Sequence, residues 1–272
     1  MAVADILQQI VAYKFEFIAQ ARRERPLAEL KARMTDLPAS AGFGAALKRP
    51  GDEDLRVIAE VKKASPSKGV IRENFDPVAI AEDYAQHGAA AVSVLTDERF
   101  FQGHLDYLRQ VHAALPQVPL LRKDFVVDEY QIFEAREAGA SAILLICSIL
   151  DGAQLRGFRE LAMGLGMDAL TEVHEEAEAE VAVNSGAKIV GVNNRDLRTF
   201  AVDLNQTERV MGSLGAARAE LTFVSESGIS TPADVAAVRR IGADAILVGE
   251  SFMRCESPGE ALSRLMTTDD DK

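Results

Sequence analysis

The chain has 272 residues, 48% of them hydrophobic, enough to bury one barrel-sized core or two small ones. Its net charge of -12 sets up a field that repels nucleic acid and anionic membranes as general partners, so an anionic ligand needs a locally basic site. Cys147 and Cys255 lie far apart without a C-x-x-C pattern, and His87, His104, His112 and His174 lack metal-ligand spacing, so neither a disulfide framework nor a metal is expected. No apolar run approaches a membrane span and no leader-like segment opens the chain, so a cytoplasmic protein is expected.

In residues 1–34, Ile6, Leu7, Ile10, Val11, Phe17, Ile18 and Ala21 recur at helical spacing, with Lys14, Glu16, Arg22 and Arg23 largely off that stripe. The pattern predicts an amphipathic helix ending near Pro26 and a short second helix through Leu30. Residues 35–54, with Pro38, Gly42, Gly44, Pro50 and Gly51, read as a connector of low regularity. Residues 1–54 are therefore expected to be a helical extension, 55–266 the regular body, and the Asp-rich 267–272 a disordered tail.

The body opens with Leu55 to Gly69, where an apolar run leads into Glu60 and Lys62 before Pro66 and Gly69 break the chain. In a strand Ile58, Glu60 and Lys62 share one face, which sets an acid beside a base where the strand meets solvent. A repeat follows: Gly88-Ala89, Gly139-Ala140, Gly186-Ala187 and Gly242-Ala243 each precede an apolar run, with starts 51, 47 and 56 residues apart. Glycine suits the left-handed position that ends a helix, so each marks a helix-to-strand return. Each interval holds one more apolar run, at Leu120, Leu170 and Phe223, and with 55–61 these make eight predicted strands. Strands alternating with helices pair in parallel, and eight such units close into a (β/α)8 TIM barrel. A doubly wound open sheet would show a Gly-rich fingerprint after its first strand, and Lys62-Lys63-Ala64-Ser65 is not one.

Such barrels build chemistry at the C-terminal ends of their strands. Those ends here carry Glu60 and Lys62, Thr96 and Asp97, Lys123 and Asp124, Cys147 and Ser148, Glu172, Asn193 and Arg195, Glu226 and Ser227, and Gly249 to Ser251. After the last two strands, Ser225-Glu226-Ser227-Gly228 and Val248-Gly249-Glu250-Ser251 leave through a glycine into helical stretches, the first capped by Ser230 or Thr231 ahead of Pro232. Exposed amides at these positions favour a phosphate. The long segment from Lys63 to Asp76 is expected to act as a lid, and Phe100, Phe101 and Phe125 to flank the mouth.

Five ordered motifs are similar to those of the indole-3-glycerol phosphate synthase family: Glu60-x-Lys62-x-x-Ser65-Pro66-Ser67, Lys123-Asp124-Phe125, Thr171-Glu172-Val173-His174, Asn193-Asn194-Arg195-Asp196-Leu197 and Ser225-Glu226-Ser227-Gly228-Ile229. The resemblance implies a barrel with an N-terminal helical extension packed near its mouth. It also implies ring closure of a phosphorylated small molecule, 1-(2-carboxyphenylamino)-1-deoxyribulose 5-phosphate, with loss of carbon dioxide and water and no cofactor. It makes Lys123 the general acid, Glu172 and Glu60 the candidate bases, and Lys62 a second acid and carboxylate partner. Asn193, Arg195 and Ser227 would hold hydroxyls and orient the acids, and Ser65 and Glu226 would contact substrate. Phe101, Phe125 and Leu144 would line the aromatic ring, and Gly228, Gly249 and Ser251 the phosphate. Burial beside Phe125 is expected to draw the Lys123 pKa toward neutrality. Phosphoribosylanthranilate isomerase is the nearest rival, but that family is expected to place a cysteine in the first strand instead of Glu60 and Lys62. A non-catalytic barrel subunit is the rival of another class, and the complete set of motif acids and bases counts against it. Oligomeric state cannot be read from the residues.

Overall fold

Apolar runs fold as strands where the periodicity places them. In the computed structural model, which describes residues 3–34, 37–49, 55–196 and 201–267, the chain forms β1 (Arg56–Val61), β2 (Ala64–Ser65), β3 (Gly69–Val70), β4 (Ala91–Leu95), β5 (Leu120–Lys123), β6 (Ala142–Ile146), β7 (Asp168–Val173), β8 (Ile189–Asn193), β9 (Thr222–Glu226) and β10 (Ala245–Val248). Eight of them close into a parallel barrel in the order β1-β10-β9-β8-β7-β6-β5-β4. The predicted returns hold: Gly88, Gly139, Gly186 and Gly242 have φ of 87°, 92°, 90° and 85°, the left-handed region that costs glycine least.

Alternation along the strands divides the core in two. Val57, Ala59 and Val61 of β1 face outward into the layer between barrel and helices, together with Val92, Val94, Ile143 and Leu145. Ile58, Ala91, Leu121, Ala142, Leu144, Leu170, Ile189, Val224 and Ala245 face the barrel axis. Glu60, Lys123, Glu172 and Glu226 lie at alternate positions on this inner face, nearer the C-terminal ends, so register alone aims them at one mouth.

The N-terminal extension forms α1 (Val3–Glu24) and α2 (Leu27–Arg33), close to the predicted pair. Ile18 and Leu30 pack on Val127, Tyr130 and Phe133, and the Tyr130 hydroxyl donates to Ala21 O at 3.1 Å and Arg25 O at 2.9 Å near the end of α1. The expected irregular connector contains a helix, α3 (Phe43–Leu47). Its fully buried Phe43 and Leu47 plug the closed end of the barrel, and Gly44 N donates to Asp168 Oδ2 at 2.8 Å at the start of β7. The period is too short to show in five residues, which is why composition alone suggested a loop. Residues 50–54 of the connector and the tail residues 268–272 lie outside the described residues.

The segment after β1 carries its own structure. β2 and β3 pair antiparallel, Ile71 N and Arg72 N donate to Lys63 O, and Arg72 forks onto the carbonyls of Met253, Cys255 and Glu256 at 3.3, 2.7 and 3.0 Å. Helix α4 (Pro77–Gln86) then starts on Asp76, whose side chain accepts from Val78 N and Ala79 N.

Candidate active site

A cavity of about 530 Å³ opens at the C-terminal mouth, within the usual range of small-molecule sites. Glu60, Lys62, Ser65, Phe101, Lys123, Phe125, Leu144, Glu172, Asn193, Arg195, Glu226, Ser227, Gly228, Gly249 and Ser251 all line it, whereas Thr96, Asp97, Cys147 and Ser148 do not, and Phe100, expected beside the mouth, turns instead onto Tyr13.

Lys123 stands at its centre. Its Nζ lies 3.0 Å from Glu172 Oε2 and 3.2 Å from Glu226 Oε2, and Asn193 Nδ2 donates to Glu172 Oε1 at 3.3 Å. Burial alone would lower the lysine pKa, but Glu172, Glu226 and Glu60 together raise it well above its ordinary value. The expectation of a near-neutral lysine is therefore corrected: Lys123 is held firmly protonated, because the carboxylates outweigh desolvation. Burial likewise pushes Glu172 up, but Lys123 and Asn193 pull it further down, so it stays ionised. Glu226, buried and flanked by the negative Glu172 and Glu60, rises to about 7 despite Lys123. Its Oε1 has no hydrogen-bond partner among the described residues. A Cβ on Gly191 would collide with that oxygen, so the glycine in β8 makes room for Glu226.

Across the mouth, Lys62 Nζ is 3.3 Å from Glu60 Oε2 and 5.7 Å from the centre of the Phe101 ring. Phe101 and Phe125 lie 6.0 Å apart at 35°, and Leu144 adds an apolar floor. Lys62 thus places a cation at the edge of an aromatic-lined slot.

The opposite end is built from turns. Ser227 and Gly228 both adopt positive φ, 69° and 84°, the first unusual for a residue with a side chain. The buried Asn194 fixes this turn, donating to the carbonyls of Glu226 and Ser227 at 3.0 and 3.2 Å, while its own oxygen accepts from Thr207. Thr231 is the cap of the following helix, and Asp234 takes the amides of Ser230 and Thr231 at 3.0 and 2.8 Å. The amides of Ser230 and Thr231 are thereby taken, and this end of the cavity is lined by the Ser227–Gly228 turn and the start of the helix Glu250–Met253. Ser65 Oγ and Ser251 Oγ line the cavity, are buried, and have no partner among the described residues. Gly249 leaves room for Glu60, since a Cβ there would come within 2.5 Å of Glu60 Oε2.

Two contributors escaped the sequence reading. Ile6, Leu7 and Ile10 of α1 form part of the cavity wall: the family resemblance set the extension near the mouth, but the apolar stripe alone did not say which of its residues would reach the cavity. Asn194 carried no signal distinguishing it from its neighbours Asn193 and Arg195.

A closed parallel barrel whose mouth joins a buried lysine and carboxylates, an aromatic slot and an amide-rich turn defines an acid–base enzyme of the (β/α)8 class. The profile described as "Indole-3-glycerol phosphate synthase" matches residues 7–265. Curated relatives of that name include one from Polaromonas sp. (strain JS666 / ATCC BAA-500), 50% identical over 98% of this chain and 100% of its own. Another, from Laribacter hongkongensis (strain HLHK9), is 50% identical over 97% of this chain and 99% of its own. The chain belongs to the indole-3-glycerol phosphate synthase family. Among solved structures, 3-hexulose-6-phosphate synthase aligns with a TM-score of 0.61 at 17% identity over 78% of this chain and 98% of that one, a likeness of fold alone.

Proposed function

We propose that Lys123 is the general acid of an indole-3-glycerol phosphate synthase reaction, which closes the indole ring of 1-(2-carboxyphenylamino)-1-deoxyribulose 5-phosphate and releases carbon dioxide and water. The observation that carries this reading is the Lys123 ammonium held 3.0 and 3.2 Å from two buried carboxylates at the mouth of the barrel. A lysine so held delivers a proton without first having to gain one.

The ring carbon that bears the carboxylate attacks the ketone carbon. Charge gathers on the ketone oxygen, and Lys123 protonates it to a hydroxyl. The carbon–carboxylate bond then breaks, its electron pair restores the aromatic ring, and carbon dioxide leaves. In the second stage a proton is removed from the carbon next to nitrogen and the new hydroxyl departs as water, leaving the indole double bond. Glu172, ionised by its contacts with Lys123 and Asn193, takes the proton in that stage, and Glu60 holds Lys62 as second acid. Lys62 also pairs with the substrate carboxylate over Phe101, while Phe125 and Leu144 grip the ring. Arg195, Asn193 and Ser227 hold the sugar hydroxyls, and Glu226 anchors Lys123. The Gly228 turn, Gly249 and the Ser251 hydroxyl, which has no partner among the described residues, hold the phosphate, and Ser65 closes over the substrate from the lid. This chemistry, family membership and mouth geometry fit a step of tryptophan synthesis.

The test is to incubate the purified protein with the carboxyphenylamino deoxyribulotide and follow indole fluorescence and released carbon dioxide. Equal amounts of both products are expected; substrate left intact overturns the proposal.

A further inference from the structure

Lys14 lies on α1, in the extension outside the barrel, among polar residues that periodicity places off the apolar stripe. It is nevertheless 2% exposed, one of the most deeply buried charges in the molecule. Its Nζ lies 2.8 Å from Asp97 Oδ2 and 2.6 Å from Asp124 Oδ1, and those side chains are 0% and 1% exposed.

Each carboxylate is bound to the backbone of an aromatic wall. Asp97 caps helix α5 (Glu98–Phe101) by accepting from Phe100 N at 2.7 Å, which sets the turn that carries Phe101. Asp124 sits between Lys123 and Phe125 and accepts from Phe125 N at 2.8 Å. Its other oxygen accepts from Thr96 at 2.7 Å and Arg122 at 3.1 Å. One ammonium therefore ties the ends of β4 and β5 together and docks α1 across both. Tyr13, next to Lys14, meets the edge of Phe100 at 5.9 Å and strengthens the same seam. An apolar side chain could hold the helix without losing hydration, whereas a buried ion pair adds direction at a desolvation cost.

We propose that Lys14 is a positioning residue that sets substrate affinity: it fixes the spacing of the Phe101 and Phe125 walls and seats Ile6, Leu7 and Ile10 against the ring. This rests on the assignment of those aromatics as the ring pocket. Lys123, Glu172 and Glu226 are held by the barrel strands themselves, so the loss is expected in binding and not in turnover.

The experiment compares wild type, Lys14→Met, Lys14→Met/Asp97→Asn and Phe125→Ala in steady-state assays with the deoxyribulotide, each with a thermal melt. The double variant removes the carboxylate that Met leaves unpaired, leaves Asp124 with Arg122 and Thr96, and keeps a competent cap, so it stays folded. Both Lys14 variants are expected to raise KM on the order of tenfold, the scale of one lost apolar contact, with kcat little changed. Inhibition by inorganic phosphate should be unaltered, because the phosphate end lies across the mouth. A wild-type KM in a folded Lys14 variant overturns the proposal and leaves Lys14 as a charge balance. An unchanged KM in Phe125→Ala instead refutes the ring-pocket assignment, and the proposal falls with it.

Discussion

Glu226 lets the electrostatics of the mouth be tested without reference to catalysis. Burial and the neighbouring negative charges lift its carboxyl from 4.5 to about 7, so the folded protein holds its proton more tightly than the unfolded chain does. A group raised in this way favours folding fully only below its unfolded pKa, and the contribution is lost as pH rises toward the folded value. At about 1.4 kcal/mol for each tenfold change, ionising Glu226 in the folded state costs roughly 3 kcal/mol at pH 8 and under about 1 kcal/mol at pH 5. Glu226→Gln removes that cost and leaves Lys123 its contact with Glu172. Because Glu226 and Glu172 share the lysine, about 2 kcal/mol is the sensible expectation for the growth of the stability difference between the two pH values. Urea unfolding of wild type and Glu226→Gln at pH 5 and pH 8 reads it directly. The variant should gain stability relative to wild type as pH rises, while turnover falls because the acid loses an anchor. A stability difference that is flat, or that shrinks with pH, refutes the electrostatic reasoning.

Gly191→Ala should drive a methyl group into Glu226 Oε1 and displace the carboxylate, lowering both turnover and melting temperature although residue 191 touches no substrate group. Its crystal structure, with Glu226 displaced from Lys123, checks the cause. Phe43→Ala empties the plug at the closed end and should cost about 3–5 kcal/mol in urea unfolding. Its kcat should stay near wild type, since α3 lies at the end opposite the mouth; a large loss of kcat would contradict that separation.

The sequence made the barrel and its mouth legible for a physical reason. A glycine before every second apolar run and polar or charged residues at the strand ends are local signals, and in a closed barrel strand ends converge, so local order becomes spatial order. Glu60, Lys123, Glu172 and Glu226 could be placed together in this way before any contact was known. Lys14 could not: a lysine off the stripe reads as solvated unless the opposing Asp97 and Asp124 are in view, and those lie far along the chain. Phe43 and Leu47 hid in a connector for lack of a second turn. The protonation of Lys123 was missed because desolvation can be guessed from a neighbouring Phe125, whereas the opposing pull of three carboxylates depends on distances that only the closed barrel sets. The strained Ser227 turn and its Asn194 brace depend likewise on β8 and β9 lying side by side.

The central claim is that a lysine kept protonated by buried carboxylates drives the ring closure. Lys123→Ala, assayed with saturating deoxyribulotide by indole fluorescence and melted in parallel to establish its fold, tests this most directly. The expected result is a folded protein whose turnover is lower by about 10²–10⁴-fold, the scale of a lost general acid. A folded variant turning over at the wild-type rate would contradict it.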